Sequence, residues 1–306
     1  MTETDVSPLN TWQGKAELFL RIFLLADGLV LFILFLNIQF DVFLPAPGSR
    51  MNNPFAGFLI ALFLLGLVNP RFREKWTERL HASLTQTPAR VWVFAGLFGI
   101  EILLLAFSFI FPDSQKWDLN MEQGYGTLFA TFQLFFLGVF VLTLSGQDKD
   151  ASPKQVWPWY FVASFYLYLG LDDCIGIHEN FIIWFQDMAP DAGAFHFIHE
   201  WLWIYAPFIL SVVVFLAIFF LKKFRKNPGV IALMFLGLTL WVSVIVMEGL
   251  AKNIVDPHGF EAGRLLVGIE EGAEMLGATL FLLGFSQYAR NSRGRESGGK
   301  NLESYC

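Results

Sequence analysis

The chain has 306 residues, of which 55% are hydrophobic and only 16% charged, and Phe alone occurs 35 times. A water-soluble domain carries about a quarter charged residues, so this composition excludes one. The net charge of −6 offers no basic platform for phosphates, and nucleic acid is excluded as a partner on that ground.

Apolar stretches close to the roughly 20 residues that carry a helix across the hydrocarbon core recur along the chain. In lipid each backbone N–H and C=O has to be paired inside its own segment, which makes these stretches helices. A transmembrane barrel would alternate apolar and polar residues over strands of about ten residues, whereas the runs here are continuous. The expected fold class is all-α, a polytopic transmembrane helical bundle of about eight spans forming one integral membrane domain over residues 1–288.

In chain order, Met1–Gly14 is polar and acidic and lacks the basic region of a cleaved signal peptide, so the first span is expected to be retained. That span covers Leu18–Leu36, a short second one Phe55–Val68, and then come Val91–Phe111, Tyr125–Leu144 and Trp157–Leu171. After a polar stretch follow Trp201–Leu221, Val230–Leu250 and Leu265–Phe285. Pro158 and Pro207 lie within spans and point to kinks. Trp157, Trp159, Trp201 and Trp203 fall near span ends and read as an aromatic belt. The tail over 289–306, rich in Gly, Ser and Arg, is expected to be disordered.

With the amino terminus inside, 17 of the 21 Lys and Arg residues are cytoplasmic, leaving Arg50, Lys116, Lys252 and Arg264 outside. Cytoplasmic loops are enriched in these residues, so both termini are expected in the cytoplasm and the number of spans even.

The residues that carry chemistry lie between Gly170 and Ala278, at the outer end of spans five to eight. Asp172, Asp173, Cys174, His178 and Glu179 follow span five, and His196, His199 and Glu200 precede span six. Glu248 closes span seven, while Glu270, Glu271 and Glu274 open span eight. From Asp172 to Glu274 this side holds 12 carboxylates against two fixed cations, Lys252 and Arg264. An ionised side chain at mid-membrane costs roughly 2.5–3.5 kcal/mol on insertion scales. Something positive is therefore expected to compensate, whether a metal ion, bound protons or a cationic ligand. Helical spacing groups His196, His199 and Glu200 in one patch, Glu270 with Glu274 in another, and Cys174 with His178 in a third. Asp173 and His178 would diverge on a regular helix unless Gly176 marks a bend.

Mixed imidazole and carboxylate donors suit zinc, iron or manganese better than calcium or magnesium. Asp173, His178, His199, Glu248, Glu270 and Glu274 are the expected metal ligands, with Glu179, Glu200 and Glu271 orienting them or acting as general base. Plainer readings stand beside these. Lys252 can pair with Glu248 at i, i+4. Acids at the start of span eight suit the positive end of a helix, and Cys174 reads as a small buried hydrophobe. Cys174 and Cys306 make no disulfide framework or CxxC motif, and HExxH, nucleophile-elbow, Walker and dinucleotide signatures are absent. Asp27 and Glu101 lie inside spans one and three, where a polar interior would have to receive them.

The run Leu171-Asp172-Asp173, followed after four residues by His178-Glu179, and the later Glu270-Glu271-Gly272-Ala273-Glu274-Met275 resemble motifs of uncharacterised bacterial multi-pass membrane proteins. The resemblance covers these two stretches, brings no activity with it and implies a bacterial inner-membrane setting. The spaced HxxxH element of the alkaline-ceramidase-like hydrolases is missing.

The function expected is that of an intramembrane metal-dependent enzyme, a hydrolase or an oxidase, acting on a lipid or other amphiphile at the outer or periplasmic side. Membrane lipids and a lipid-like substrate are its expected partners. A proton or divalent-cation transporter using the same acids is one alternative, although the inner halves of spans five to eight are almost wholly apolar. A non-catalytic cofactor-binding or structural subunit of a larger membrane complex is another.

Overall fold

The computed structural model of the chain describes residues 15–25, 52–111, 114, 116–119, 124–145, 152–177, 200–258 and 260–303. Of these, 52–54, 56, 67, 153, 200–205, 248–264 and 293–303 are described as backbone alone. All regular structure among the described residues is α-helical. A helical stretch over 15–25 comes first, followed by α1 (Asn52–Val68), α2 (Pro70–Thr85), α3 (Ala89–Ile110) and α4 (Tyr125–Ser145). Then come α5 (Pro153–Ile175), α6 (Glu200–Phe224), α7 (Pro228–His258) and α8 (Phe260–Glu303).

Helices α1 and α3 to α8 coincide with the second to eighth apolar stretches of the sequence. Among the described residues four helical segments are long and apolar enough to cross a membrane: Ala89–Ile110, Tyr125–Ser145, Ala206–Phe224 and Pro228–Met247. The helix α8 extends as far as Glu303, and extending an existing helix needs no new nucleus. The basic connection after α1 is itself the helix α2. Its start is written in Asn69-Pro70: the Asn69 side chain accepts from the Phe72 N–H at 3.0 Å, and proline fits the first helical position because its missing N–H has no partner there anyway. Phe72 and Trp76 stack at 6.4 Å, one turn apart.

Contacts divide the chain into two units, Met1–Leu80 and His81–Cys306. In the first, Glu17 pairs with Arg21 at 2.7 Å and accepts from the Asn69 amide at 2.7 Å. In the second, α4 and α5 pack antiparallel, and α8 packs on α3, α4 and α7, with α6 against α7. Glycines let two pairs approach closely. Gly138 of α4 lies on Ala163 and Leu167 of α5, and Gly170 of α5 on Thr131, Leu134 and Phe135 of α4. Gly237 and Gly277 bring α7 and α8 together under the Trp241 ring.

An aromatic core closes the end of this unit where α6 turns into α7. Trp159 packs with Phe219, Phe224, Phe285 and Tyr288 at 5.2–6.3 Å between ring centroids. Trp159 is therefore not part of an interfacial belt: it is 4% exposed, whereas Trp157 is 52% exposed and fits that role. A tryptophan so placed shields its whole face from water and lipid against other rings. The side chains of Trp201 and Trp203 lie outside the described residues.

Candidate functional site

A buried polar cluster lies between α3, α4 and α8. Glu101, 8% exposed, sits in the middle of α3. Its Oε1 accepts from the Gln133 amide nitrogen of α4 at 2.8 Å and from the Thr279 hydroxyl of α8 at 2.6 Å. The same amide nitrogen donates to Thr279 Oγ at 2.8 Å. One carboxylate oxygen thus takes two donors from two helices, which is how a buried acid is held without a counter-charge. Among the described residues, two buried polar atoms lack a hydrogen-bond partner, Gln133 Oε1 in this cluster and the Tyr166 hydroxyl on α5.

Asp173 is placed elsewhere. It lies on the last turn of α5 and accepts from the Thr131 hydroxyl of α4 at 3.1 Å. Thr131 and Gln133 are two residues apart, about 200° around α4, so Asp173 and Glu101 lie on opposite sides of that helix. The helix α5 stops directly after Asp173 and Cys174. Gly176 adopts a left-handed conformation (φ 61°, ψ 49°), and its N–H bonds back to the Asp172 carbonyl at 2.7 Å. A side chain at that φ would be strained, which is why glycine closes helices in this way. The bend allowed for at Gly176 is present, so the helical spacing of Cys174 to His178 does not describe one continuous helix. Cys174 itself is buried, at 3% exposed.

The register of α7 against α8 brings further acids to the same end. Met234 lies against Gly284, Gly237 against Gly277, and the Trp241 ring N–H donates to the Glu274 carbonyl at 3.1 Å. Carried along two antiparallel helices, this register sets position 248 within a turn of Glu270. By the 100° step of a helix, Glu270 and Glu274 fall on the side of α8 that carries Gly277 and Phe281 toward Trp241. Glu271 falls nearer the side of Gly268 and Met275, where Gly268 meets Leu105 and Phe109 of α3. Thr279 and Gln133 fix the levels of α8 and α4, so Asp173, opposite Thr131, lies about one turn deeper than Glu274.

Of the nine candidate residues, Asp173, Glu270, Glu271 and Glu274 have described side chains. His178, Glu179 and His199 lie outside the described residues, and Glu200 and Glu248 are described as backbone alone. Among the described residues no three His, Cys, Asp or Glu side chains come close enough to hold a metal ion.

A family profile whose description reads "Domain of unknown function (DUF8692)" matches residues 113–288, more than half of the chain. The chain belongs to the DUF8692 family. No curated protein matches it, and no solved structure does.

The DUF8692 region contains all nine candidate residues as well as Gln133, Thr131 and Thr279, and begins after Glu101. The partners of Glu101 and Asp173 escaped sequence reasoning because a lone Thr or Gln in an apolar run announces no particular neighbour. The usable signal was Gln133, an amide in the middle of a mostly apolar DUF8692 helix. Such a group in lipid requires a polar partner on another helix.

Proposed function

We propose that this DUF8692 protein is a multi-pass protein of a bacterial inner membrane, with about eight spans and both termini in the cytoplasm. Its acidic end faces outward, binds a divalent transition metal (zinc, iron or manganese) and acts on a lipid or other amphiphile. The observation that carries this reading is the helix register. Asp173 on α5, position 248 on α7, and Glu270 and Glu274 on α8 occupy levels within a few turns of one another. Acids so grouped at the end of apolar helices make a favourable place for a shared cation, and ionisable groups at such a position commonly mark a functional site.

Such an ion supplies Lewis acidity and an activated water to an ester or phosphoester at the membrane surface, or redox chemistry if it is iron or manganese. In this reading Asp173, His178, His199, Glu248, Glu270 and Glu274 hold the ion, and Glu179, Glu200 and Glu271 serve as general base or orient the ligands. The exposed faces of the apolar helices would deliver an amphiphile laterally. The test is elemental analysis of the purified protein beside His178→Ala, His199→Ala and Glu270→Gln. A stoichiometric first-row metal that the substitutions remove is expected, and a wild-type preparation without one would overturn the reading.

A second reading is favoured by one observation, the carboxyl of Glu101 held inside α3. Acids in that position commonly belong to proton relays. A metal-free preparation that carries protons across liposomes, and fails to do so as Glu101→Gln, would favour a transporter.

A further inference from the structure

At the opposite end of the second unit, a cavity of about 400 Å³ opens where α6 turns into α7. Lys222, Lys223, Arg225 and Lys226 line it, with Tyr288 and Ser292 of α8 behind them, and among the described residues none that lines it is acidic. Lys223 stands over the buried Trp159 ring, its Nζ 5.2 Å from the centroid, and so is directed by packing. Lys222, Arg225 and Lys226 are exposed. The backbone at the turn adds to the same field. Val230 and Ile231 donate to the Asn227 carbonyl as α7 begins, so the positive end of that long helix lies beside the four cations.

The depth of the cavity identifies its occupant. The two helices it joins, Ala206–Phe224 and Pro228–Met247, are among those long and apolar enough to cross a membrane. Their shared turn therefore lies at the level of lipid headgroups. Below it Leu210, Val214, Ile218 and Leu221 are exposed on α6. At i, i+4, i+8 and i+11 they form one stripe, and Leu221 at its end also lines the cavity. A charged pocket that opens onto an apolar track matches a molecule with an anionic head and an acyl tail. A bulk polyanion would leave the track bare, and a free anion would have no use for it. We propose that this cavity binds the phosphate headgroup of an anionic phospholipid, with an acyl chain along the exposed stripe of α6. Basic pockets between membrane helices recognise such headgroups through the same chemistry.

The test uses the full-length protein in mild detergent and measures equilibrium binding of phosphatidylglycerol and phosphatidylcholine. A chelator is present throughout, so failure of the metal reading leaves this result untouched. The wild type is expected to prefer phosphatidylglycerol. The triple variant Lys222→Gln, Arg225→Gln, Lys226→Gln is expected to weaken that binding about a hundredfold, on the basis of about fivefold per basic residue near an anionic surface. Binding of phosphatidylcholine should not change. A control variant, Arg71→Gln, Lys75→Gln, Arg79→Gln, removes the same charge from α2 and should keep the preference. Equal losses in both variants would mean bulk charge alone and would overturn the proposal. So would a wild type without lipid preference, or inorganic phosphate that displaces the lipid at matching concentration, which would mark a site for a free anion.

Discussion

Inside a helix apolar and long enough to cross a membrane a carboxyl group has few ways to be accommodated, and Glu101 uses donors from two other helices. Each hydrogen bond of this kind contributes modestly, because the unfolded chain in lipid also finds partners; coupling energies average about 0.6 kcal/mol and reach about 1.7. Combining Gln133→Leu with Thr279→Val is therefore expected to show a coupling within that range when unfolding is followed in detergent. Tyr166 offers the opposite case. Its hydroxyl is fully buried and has no hydrogen-bond partner among the described residues, so Tyr166→Phe should leave stability unchanged or raise it, since an unmade buried hydrogen bond costs about 1–3 kcal/mol. Lower stability in Tyr166→Phe would show that the hydroxyl has a partner in the folded protein. Glu101 was conspicuous in the sequence as an acid within an apolar run. Its partners were not, because Gln133 and Thr279 meet it only through the relative rotation of three helices, which no local pattern encodes.

At the scale of elements, two kinds of glycine separate. Gly138 touches the Ala163 carbonyl and Leu167 so closely that an added Cβ would stand 2.9 Å and 2.7 Å from them. At Gly96 of α3 an added Cβ would meet nothing within 4 Å among the described residues. Gly138→Ala is thus expected to cost about 1–3 kcal/mol by forcing α4 from α5. Gly96→Ala should be neutral or stabilising by up to about 1 kcal/mol, because alanine loses less freedom in a helix. Thermal unfolding of the two variants side by side decides it, and equal behaviour would contradict the packing described. Apolar length was enough to locate α3 to α8 in the sequence. The helix α2 was missed because it is polar, with six charged residues among its 16, so its signal lay in the Asn69-Pro70 start and not in hydropathy. The stop at Gly176 was foreseeable only as an option, since glycine permits a left-handed residue without requiring it.

For the molecule as a whole, charge separates the two ends of the second unit. Acids from α5 and α8 crowd one end, while Lys222, Lys223, Arg225 and Lys226 occupy the other. If basic ends stay in the cytoplasm, reporters fused after Asp148 and after Lys226 should read as cytoplasmic, and reporters after Lys116 and Lys252 as external. A reporter after Lys226 that reads external would invert the topology. This polarity could be read directly from the sequence, because it depends on counts along the chain. The meeting of Asp173 with Thr131 could not, because it depends on which flank of α4 each neighbour takes.

The oxygen shared among Glu101, Gln133 and Thr279 also has a mechanical consequence. Because one atom receives bonds from two neighbouring helices, twisting α3, α4 or α8 about its own axis would break at least one of them. The three are pinned against rotation like staves held by a single peg. A change of shape that keeps these bonds would carry the three as one piece.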